Sequence, residues 1–294
     1  MIKKGVYAAG LSVLNDDLSL NVNETIAHAE DLIYNGLHGV IFFGSTGQSQ
    51  LISLSEKKSL ISKIGSHKLK KHFFIGTGSN SLKENIDLIK YAMEYEFKDF
   101  LIMPPAYYKD NTNLGVINFY SLIIAAAPKI KIILYNFEKL SGFKFSPEIV
   151  TKLVKTFPNN IIGCKDSSYN LFERLKLPNF LMFPGSEAKL LKGLELGCSG
   201  CISAVTNVTH SLSRKVFDDF ENKKNQTINK KLIEVRETFD NYNLISALHS
   251  YLATNNKNFR NLLPPLILLS EEKKKELIDK LDKLKFITKK NKAA

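Results

Sequence analysis

The chain has 294 residues, of which 44% are hydrophobic and 24% are charged, and its formal net charge is +12. This is ordinary globular composition, and the absence of any run of about 18 apolar residues excludes a typical membrane-spanning protein. The start, MIKKGVYAAGLSVLNDD, becomes polar too soon for a secretory signal, so we expect a cytoplasmic protein.

The positive charge does not by itself indicate a nucleic-acid partner. The lysines are spread among acidic residues, as in EEKKKELIDKLDKLKF near the C-terminus, which is typical of solvated helix faces. A nucleic-acid interface would favour clustered basic residues instead. We therefore predict neither a nucleic-acid partner nor a membrane partner.

Short apolar runs rich in β-forming residues alternate along the chain with segments long enough for one helix each. In chain order the predicted strands are Val6 to Leu14, Gly39 to Phe43, Phe73 to Gly76, Phe100 to Met103, Ile130 to Tyr135, Ile161 to Lys165, Phe180 to Phe183 and Gly200 to Val205. Eight strand–helix alternations predict an α/β fold, a (β/α)8 TIM barrel.

Helix start signals support this order. Ser55, Ser81 and Ser146 each precede an apolar stripe, and Pro147 follows the last of them, as expected for N-caps and first turns. Beyond about residue 224 the strand pattern stops and two long helical patterns follow. We predict a catalytic barrel over residues 1–224 and a C-terminal helical appendage over residues 225–294.

Cys198 and Cys201 form a CxxC, which raises a zinc or redox alternative. No second CxxC or paired histidine supplies further zinc ligands, and the surrounding GCSGCISAV is typical of a turn that enters a buried strand. With Cys164 the chain has three cysteines, too few and too oddly numbered for a disulfide framework. We predict no metal site.

Candidate functional residues follow the predicted strands, where the loops of a barrel converge on the active site. Lys165 ends the strongly apolar run NIIGCK. If its side chain points into the barrel mouth, partial desolvation favours the neutral amine, which is the form that attacks a ketone. A solvent-facing lysine at a strand end is the alternative, and position alone does not exclude it.

Two other strand ends carry weaker signals. The run GSTG, from Gly44 to Gly47, offers backbone N–H groups and two hydroxyls that suit a small carboxylate, although many α/β turns are glycine-rich. Tyr135 ends the fifth strand and could transfer a proton, although a strand-end tyrosine is often a core residue.

Several motifs, spread over nearly the whole chain, resemble the dihydrodipicolinate synthase and N-acetylneuraminate lyase family of pyruvate-dependent class I aldolases. They are GSTGQSQLISLSEKK, GTGSNSLKENIDLIKYA, PPAYYK, LYNFEKLSG, FPNNIIGCKDSS, FPGSEAKLLKGLELGCSGCISAVTNV and LPPLILLSEEKKKEL. Their order matches the order of the predicted strands.

This resemblance implies that Lys165 forms a Schiff base with pyruvate and that Tyr135 acts as the acid/base. Ser45 and Thr46, with Gly47 beside them, match the residues that hold the pyruvate carboxylate. The resemblance also implies that Ser45 relays protons from Tyr135 towards a tyrosine supplied by a neighbouring subunit. No metal or organic cofactor is expected.

The neighbouring tyrosine matches Tyr107, and Tyr108 remains an alternative because PPAYYK holds both. The resemblance therefore implies a homotetramer. Ile202 matches a backbone contact to bound pyruvate, and Gly185 and Glu187 lie where further substrate contacts are expected.

Departures from the family patterns bear on the substrate. Leu140 stands where dihydrodipicolinate synthases place an arginine that clamps the aldehyde's carboxylate. Neuraminate lyases use two adjacent acidic residues to bind sugar hydroxyls, whereas this chain has Glu187 followed by Ala188. Glu138 and Gln48 replace a usual proline and a usual glutamate. The stretch around Glu187 resembles the branch that acts on 2-oxo-3-deoxy acids.

The sequence thus predicts a lyase that cleaves or forms a 2-oxo-3-deoxy acid, with pyruvate and an aldehyde as the other side of the reaction. One alternative is 4-hydroxy-tetrahydrodipicolinate synthase, which condenses pyruvate with aspartate semialdehyde. Another is a barrel without catalytic function that serves as a binding or regulatory protein. The sequence leaves the aldehyde half of the substrate undetermined.

Overall fold

Eight parallel strands form the centre of the computed structural model, which describes residues 1–288. The strands are β1 (Gly5–Ala9), β2 (Gly39–Phe42), β3 (Phe73–Gly76), β4 (Asp99–Ile102), β5 (Lys131–Asn136), β6 (Ile161–Asp166), β7 (Leu181–Pro184) and β8 (Gly200–Ser203). They hydrogen-bond in the order β7-β6-β5-β4-β3-β2-β1-β8, and Ser199 N donates to Met182 O at 2.7 Å where β8 approaches β7. The predicted (β/α)8 barrel is confirmed.

Helices cover the outside of the barrel and continue beyond it. Those of the barrel are α1 (Val22–Tyr34), α2 (Leu54–Gly65), α3 (Leu82–Glu94), α4 (Asn113–Ala126), the short α5 (Glu138–Ser141), α6 (Pro147–Thr156), α7 (Leu190–Glu195) and α8 (Thr206–Glu221). Three more follow: α9 (Asn229–Asp240), α10 (Leu244–Ala253) and α11 (Glu271–Lys283). No helix within residues 1–288 is both long enough and apolar enough to cross a bilayer.

The strands are buried on both faces, since helices cover the outer face and inward side chains fill the barrel. The inward set includes Tyr7, Ile41, Phe74, Ile133 and Phe183, which form one apolar cluster. This packed interior closes the barrel from below and leaves the carboxyl ends of the strands as the open face.

The predicted C-terminal helical appendage is confirmed as a set of helices. It packs on the barrel through a separate apolar cluster in which Leu277 and Leu281 of α11 lie together with Leu11 and Val13 of the segment after β1. Burial of each such leucine side chain stabilises the folded protein by about 1.5 to 3 kcal/mol. The division at residue 224 stays a prediction, and residues 289–294 of the predicted appendage lie outside the described part.

Most predicted strand bounds lie within one residue of those in the structure, but two strand ends are wrong by more than that. The first strand ends at Ala9 instead of Leu14, because Asn207 of α8 takes over the hydrogen bonds there: its Nδ2 donates to Ala9 O and its Oδ1 accepts from Leu11 N. The last strand ends at Ser203 instead of Val205. Both errors extend an apolar run past the point where its backbone leaves the sheet.

One of the three predicted N-caps is also wrong. Ser81 and Ser146 cap α3 and α6 as expected, but α2 is capped by Ser53 and not by Ser55. Ser53 and Glu56 form a capping box, in which each side chain bonds the backbone N–H of the other. The serine three residues before a glutamate is therefore the stronger signal.

Candidate active site

Lys165 and Tyr135 lie side by side at the carboxyl ends of β6 and β5, where they are register partners. Lys165 is only 3% exposed, and its Nζ lies 4.3 Å from the centroid of the Tyr135 ring. The aromatic face shields the Lys165 amino group from bulk water, and it attracts this group when the group is protonated. The amine is therefore held inside the barrel mouth rather than in solvent.

The GSTG run forms a 3-10 turn, Ser45–Gly47, directly after β2. Ser45 Oγ donates to Tyr135 Oη at 3.4 Å, which links this turn to the strand that carries the tyrosine. Gly47 has to be glycine, because a Cβ there would lie 2.7 Å from Gly10 O. The turn is thus fixed against β1 and presents Ser45 and Thr46 to the same space as Lys165.

A cavity of about 690 Å³ opens above these residues. Its lower part is formed by Ser45, Thr46, Tyr135 and Lys165. Its sides come from the segments after β5, β6, β7 and β8, from the second half of α9 and from the start of α10: Phe137, Glu138, Lys139, Leu140, Ser167, Ser168, Tyr169, Gly185, Ala204, Arg236, Asp240, Tyr242, Asn243, Leu244 and Ile245. This volume suits a small ligand with several polar groups.

Asp166, next to Lys165, has a structural role. It is fully buried; its Oδ1 accepts from Asn136 Nδ2 at 2.8 Å and its Oδ2 accepts from the backbone N–H groups of Leu171 and Phe172. These bonds satisfy a buried carboxylate and fix the loop after β6. That loop supplies Ser167 to Tyr169 to the cavity wall.

Glu187 does not line the cavity and is fully buried behind its wall. Its Oε2 accepts from Arg236 Nη1 at 3.1 Å and from Ser203 Oγ, and its Oε1 accepts from Thr209 Oγ1 at 2.9 Å. The expectation that Glu187 contacts substrate is therefore not met by this geometry, because both carboxylate oxygens are engaged by protein groups.

Arg236, on α9, connects Glu187 to the cavity. Its Nε lies 2.9 and 3.0 Å from the two carboxylate oxygens of Asp240, one turn further along the helix. Burial lowers the pKa of the Arg236 guanidinium, but the charges of Glu187 and Asp240 more than offset this, so the pKa lies above its ordinary value. The guanidinium thus stays charged.

The structure brings most, but not all, of the expected site residues to one cavity. Leu140 lies on its rim, and Gly185 on its wall, where a Cβ would lie 2.1 Å from Ser167 Oγ. Ile202 is buried below, in the same cluster as Tyr135, so its side chain is a core residue. Gly47, the last residue of the turn, is buried and does not line the cavity.

Tyr107 and Tyr108 lie outside the cavity and are 80% and 75% exposed. Their rings contact each other edge-on, with centroids 5.3 Å apart. Tyr107 has a φ of +83°, an uncommon backbone conformation for a tyrosine. Neither tyrosine lines the cavity of its own chain. Which of the two reaches the site of a neighbouring subunit stays a prediction.

The cysteines are free and buried. Burial raises the pKa of the Cys198 thiol to about 11 and also raises that of Cys201, so the reactive thiolate is disfavoured in both. Within residues 1–288, no three His, Cys, Asp or Glu side chains are grouped so that they could hold a metal ion.

Arg236 and Asp240 were missed by the sequence analysis. They lie in EVRETFD, within the predicted helical appendage, where the sequence alone indicates no site residue. The spacing of four residues between opposite charges is a weak signal, since it is common on solvated helix faces. Their position over the barrel mouth depends on how α9 packs.

Known proteins are similar to this chain in sequence and in architecture. The profile of the Dihydrodipicolinate synthetase family matches residues 3–284. A 4-hydroxy-tetrahydrodipicolinate synthase from a Hydrogenobaculum species is 30% identical over 261 residues, which cover 84% of this chain and 88% of that protein. A 2-dehydro-3-deoxy-D-gluconate/2-dehydro-3-deoxy-phosphogluconate aldolase from Picrophilus torridus is 27% identical over 231 residues, or 76% of this chain and 85% of that protein.

Among solved structures, the fold is shared with YagE, a prophage protein of E. coli whose crystal structure contains pyruvate. The TM-score is 0.88 at 23% identity, and the match covers 98% of this chain and 100% of YagE. With a family match over almost all of the chain, the assignment follows. This chain belongs to the dihydrodipicolinate synthetase family and is a lyase of the class I, pyruvate-dependent aldolase type.

Proposed function

We propose that the protein cleaves a 2-oxo-3-deoxy acid to pyruvate and an aldehyde through an imine on Lys165. The observation that carries this proposal is the buried Lys165 amine, held 4.3 Å from the Tyr135 ring centroid at the floor of the 690 Å³ cavity. A shielded amine that faces a substrate-sized cavity is the arrangement that nucleophilic lysines need.

The first step forms the imine. The Lys165 amine adds to C2 of the oxo acid, and the C2 oxygen then leaves as water after protonation. The Tyr135 hydroxyl, on the register partner of Lys165, is the proton donor and acceptor. The substrate carboxylate lies against the turn that carries Ser45 and Thr46.

The second step breaks the carbon–carbon bond. Tyr135 removes the proton of the C4 hydroxyl, the C4 oxygen becomes the aldehyde carbonyl, and the electrons of the C3–C4 bond move into the protonated imine to give an enamine. Protonation at C3 gives the imine of pyruvate, and water releases pyruvate and restores the lysine. The charge that develops at C3 is delocalised onto nitrogen. No metal or organic cofactor takes part in these steps.

Synthesis of 4-hydroxy-tetrahydrodipicolinate is the second candidate, and the name of the Hydrogenobaculum relative favours it. Against it, Leu140 occupies the rim where an arginine clamp is expected, and Leu140 cannot pair with the carboxylate of aspartate semialdehyde. Consumption of that aldehyde together with pyruvate separates the two candidates.

Assembly and location belong to the same proposal. The protein acts as a cytoplasmic homotetramer in which Tyr107, or alternatively Tyr108, reaches the site of a neighbouring subunit. Two large exposed aromatic side chains next to each other support a protein contact there. Light scattering that shows only monomer would contradict this arrangement.

Reductive trapping tests the proposal and separates it from a non-catalytic barrel. Borohydride in the presence of pyruvate is expected to add pyruvate to Lys165, identified by peptide mass mapping. Lys57 is an internal control, because it is also 3% exposed but its Nζ donates to Thr77 O and Gly78 O. No adduct, or one on Lys57 instead, contradicts the proposal.

A further inference from the structure

The upper wall of the cavity carries a second polar cluster, which comes from the C-terminal helices and not from the barrel. Arg236 and Asp240 lie on α9, and Tyr242 and Asn243 lie between α9 and α10. These residues share the cavity with Lys165, so a ligand attached to Lys165 extends towards them. In the proposed function, on which this inference rests, the aldehyde half of the substrate occupies this upper part.

Arg236 has almost no free hydrogen-bonding capacity. Its Nε and Nη2 donate to Asp240, with Nη2 2.8 Å from Oδ1, and its Nη1 donates to Glu187 and to Ser203 Oγ at 2.9 Å. An arginine has five N–H donors, and at least four of them are used here. Arg236 is thus unavailable as a clamp for a substrate carboxylate or phosphate.

The charges of this cluster also oppose an anionic substrate end. One guanidinium faces two carboxylates, those of Glu187 and Asp240, so the cluster carries a net negative charge. Among the described lining residues, Lys139 is a further cation, but it is exposed and adjacent to Glu138. A phosphate or second carboxylate of the substrate at this end would be repelled by these carboxylates, and few cationic groups would offset the repulsion.

Asp240 differs from Arg236 because it is accessible. Its side chain is 47% exposed, it lines the cavity, and Arg236 holds it in one orientation through both Nε and Nη2. A carboxylate has about four acceptor positions, so some remain for a ligand. Fixed acceptors of this kind bind hydroxyl groups.

We propose that Asp240, positioned by Arg236, accepts hydrogen bonds from hydroxyls of the aldehyde half and selects uncharged, polyhydroxylated aldehydes. Asp240 is a specificity-determining residue and Arg236 is a positioning residue. Substrates with a distal phosphate or carboxylate are disfavoured by the same carboxylates that hold Arg236.

The test compares three substrates in a pyruvate-release assay. They are a six-carbon 2-oxo-3-deoxy acid with hydroxyls on C4, C5 and C6, its counterpart with a phosphate on C6, and 4-hydroxy-2-oxopentanoate, whose aldehyde half has no further hydroxyl. The wild-type protein is expected to prefer the first. Asp240→Ala is expected to lower kcat/KM for it roughly ten- to a hundredfold, since hydrogen bonds to charged groups are lost, and to change the third less than about threefold.

Asp218→Ala is the matched control. It removes another helical Arg–Asp pair of the same spacing, Arg214 to Asp218 at 2.7 Å, which lies on α8 away from the cavity. This variant is expected to leave all three activities unchanged. Asp240→Asn, which keeps the shape and one acceptor oxygen, is expected to fall between wild type and Asp240→Ala for the polyhydroxylated acid.

The outcomes separate this inference from the proposed function. Borohydride trapping of pyruvate by Asp240→Ala at the wild-type rate shows that the variant is folded and that its lysine is reactive. An equal loss on the first and third substrates, no loss on either, or a wild-type preference for the phosphorylated acid overturns the role of Asp240. Absence of trapping in the wild-type protein overturns the proposed function itself.

Discussion

The two ends of the cavity are built in different ways. At the lower end, Lys165 and Tyr135 are register partners on adjacent strands, and Ser45 follows a third strand. At the upper end, Arg236 and Asp240 come from a helix about 70 residues further along the chain than Lys165. The reacting groups therefore depend on the barrel alone, whereas the groups that meet the rest of the substrate depend on how an added helix packs.

Because of this difference, the residues that carry out the reaction and the residues that select the substrate lie on separate parts of the chain. A strand-end site is as rigid as the sheet, so the imine-forming groups keep their geometry when the outer helices change. The upper wall is free to vary without disturbing Lys165. Changes at the lower end should therefore remove activity on every substrate, and changes at the upper end should alter stability or substrate choice.

The largest expected effect is that of Lys165→Ala. Because the imine cannot form without the amine, kcat/KM for pyruvate release should fall by roughly ten-thousandfold or more on every substrate. The measurement is a coupled pyruvate assay on the variant, with thermal unfolding to confirm that it folds. Residual turnover within tenfold of wild type would mean that another group performs the chemistry.

Tyr135→Phe should have the next largest effect. Loss of the hydroxyl removes proton transfer but leaves the aromatic ring under Lys165 Nζ, so kcat should fall roughly a hundred- to ten-thousandfold. Tyr120→Phe is a control, because that buried tyrosine donates to Ile102 O away from the cavity. Steady-state kinetics on both variants that show equal losses would contradict the assigned role of Tyr135.

Behind the upper wall of the cavity, Glu187→Gln should act on stability. It leaves the buried charge of Arg236 without one of its two carboxylates, and breaking such a pair costs about 3 to 5 kcal/mol. Urea unfolding should show this decrease in the free energy of unfolding. Borohydride trapping at native conditions should stay close to wild type, and a loss of trapping without loss of stability would place Glu187 in the chemistry.

A smaller effect is expected from pH, through His28 of α1 and His249 of α10, whose rings both pack on Phe259. Burial lowers the pKa of both His28 and His249 to about 4, against an ordinary value of 6.5. The unfolded chain then binds more protons than the folded one between these values, so stability is full above about pH 6.5 and is lost as the pH falls towards 4.

Urea unfolding between pH 7 and pH 4.5 measures this loss. His249→Gln should reduce the slope of the unfolding free energy against pH. The reduction should reach at most the contribution of one proton taken up on unfolding, roughly 1.4 kcal/mol per pH unit. An unchanged slope in that variant would show that His249 is protonated in the folded protein.

The same contrast explains what the sequence could and could not predict. Strands of four to six residues flanked by helical patterns gave the barrel, and the motifs at strand ends placed Lys165, Tyr135 and Ser45 correctly in one cavity. Such placement is possible because parallel strands of a barrel all point their carboxyl ends to one face. At the lower end, the residues that the sequence motifs single out are therefore also the residues that the barrel topology brings together.

The rest depends on contacts that are distant along the chain. Glu187 follows a strand like the other candidates, but Arg236 and Thr209 engage it, and neither is close to it in sequence. The end of β1 is set by Asn207, about 200 residues away. A one-dimensional pattern carries no information on which strand-end side chain another helix will bind.

The most direct test of the central claim is a crystal structure of the protein soaked with pyruvate. Continuous electron density between Lys165 Nζ and C2 of pyruvate, with the carboxylate against the turn of Ser45 and Thr46, is the predicted result. Pyruvate bound without a covalent bond, or attached to any other lysine, would contradict it.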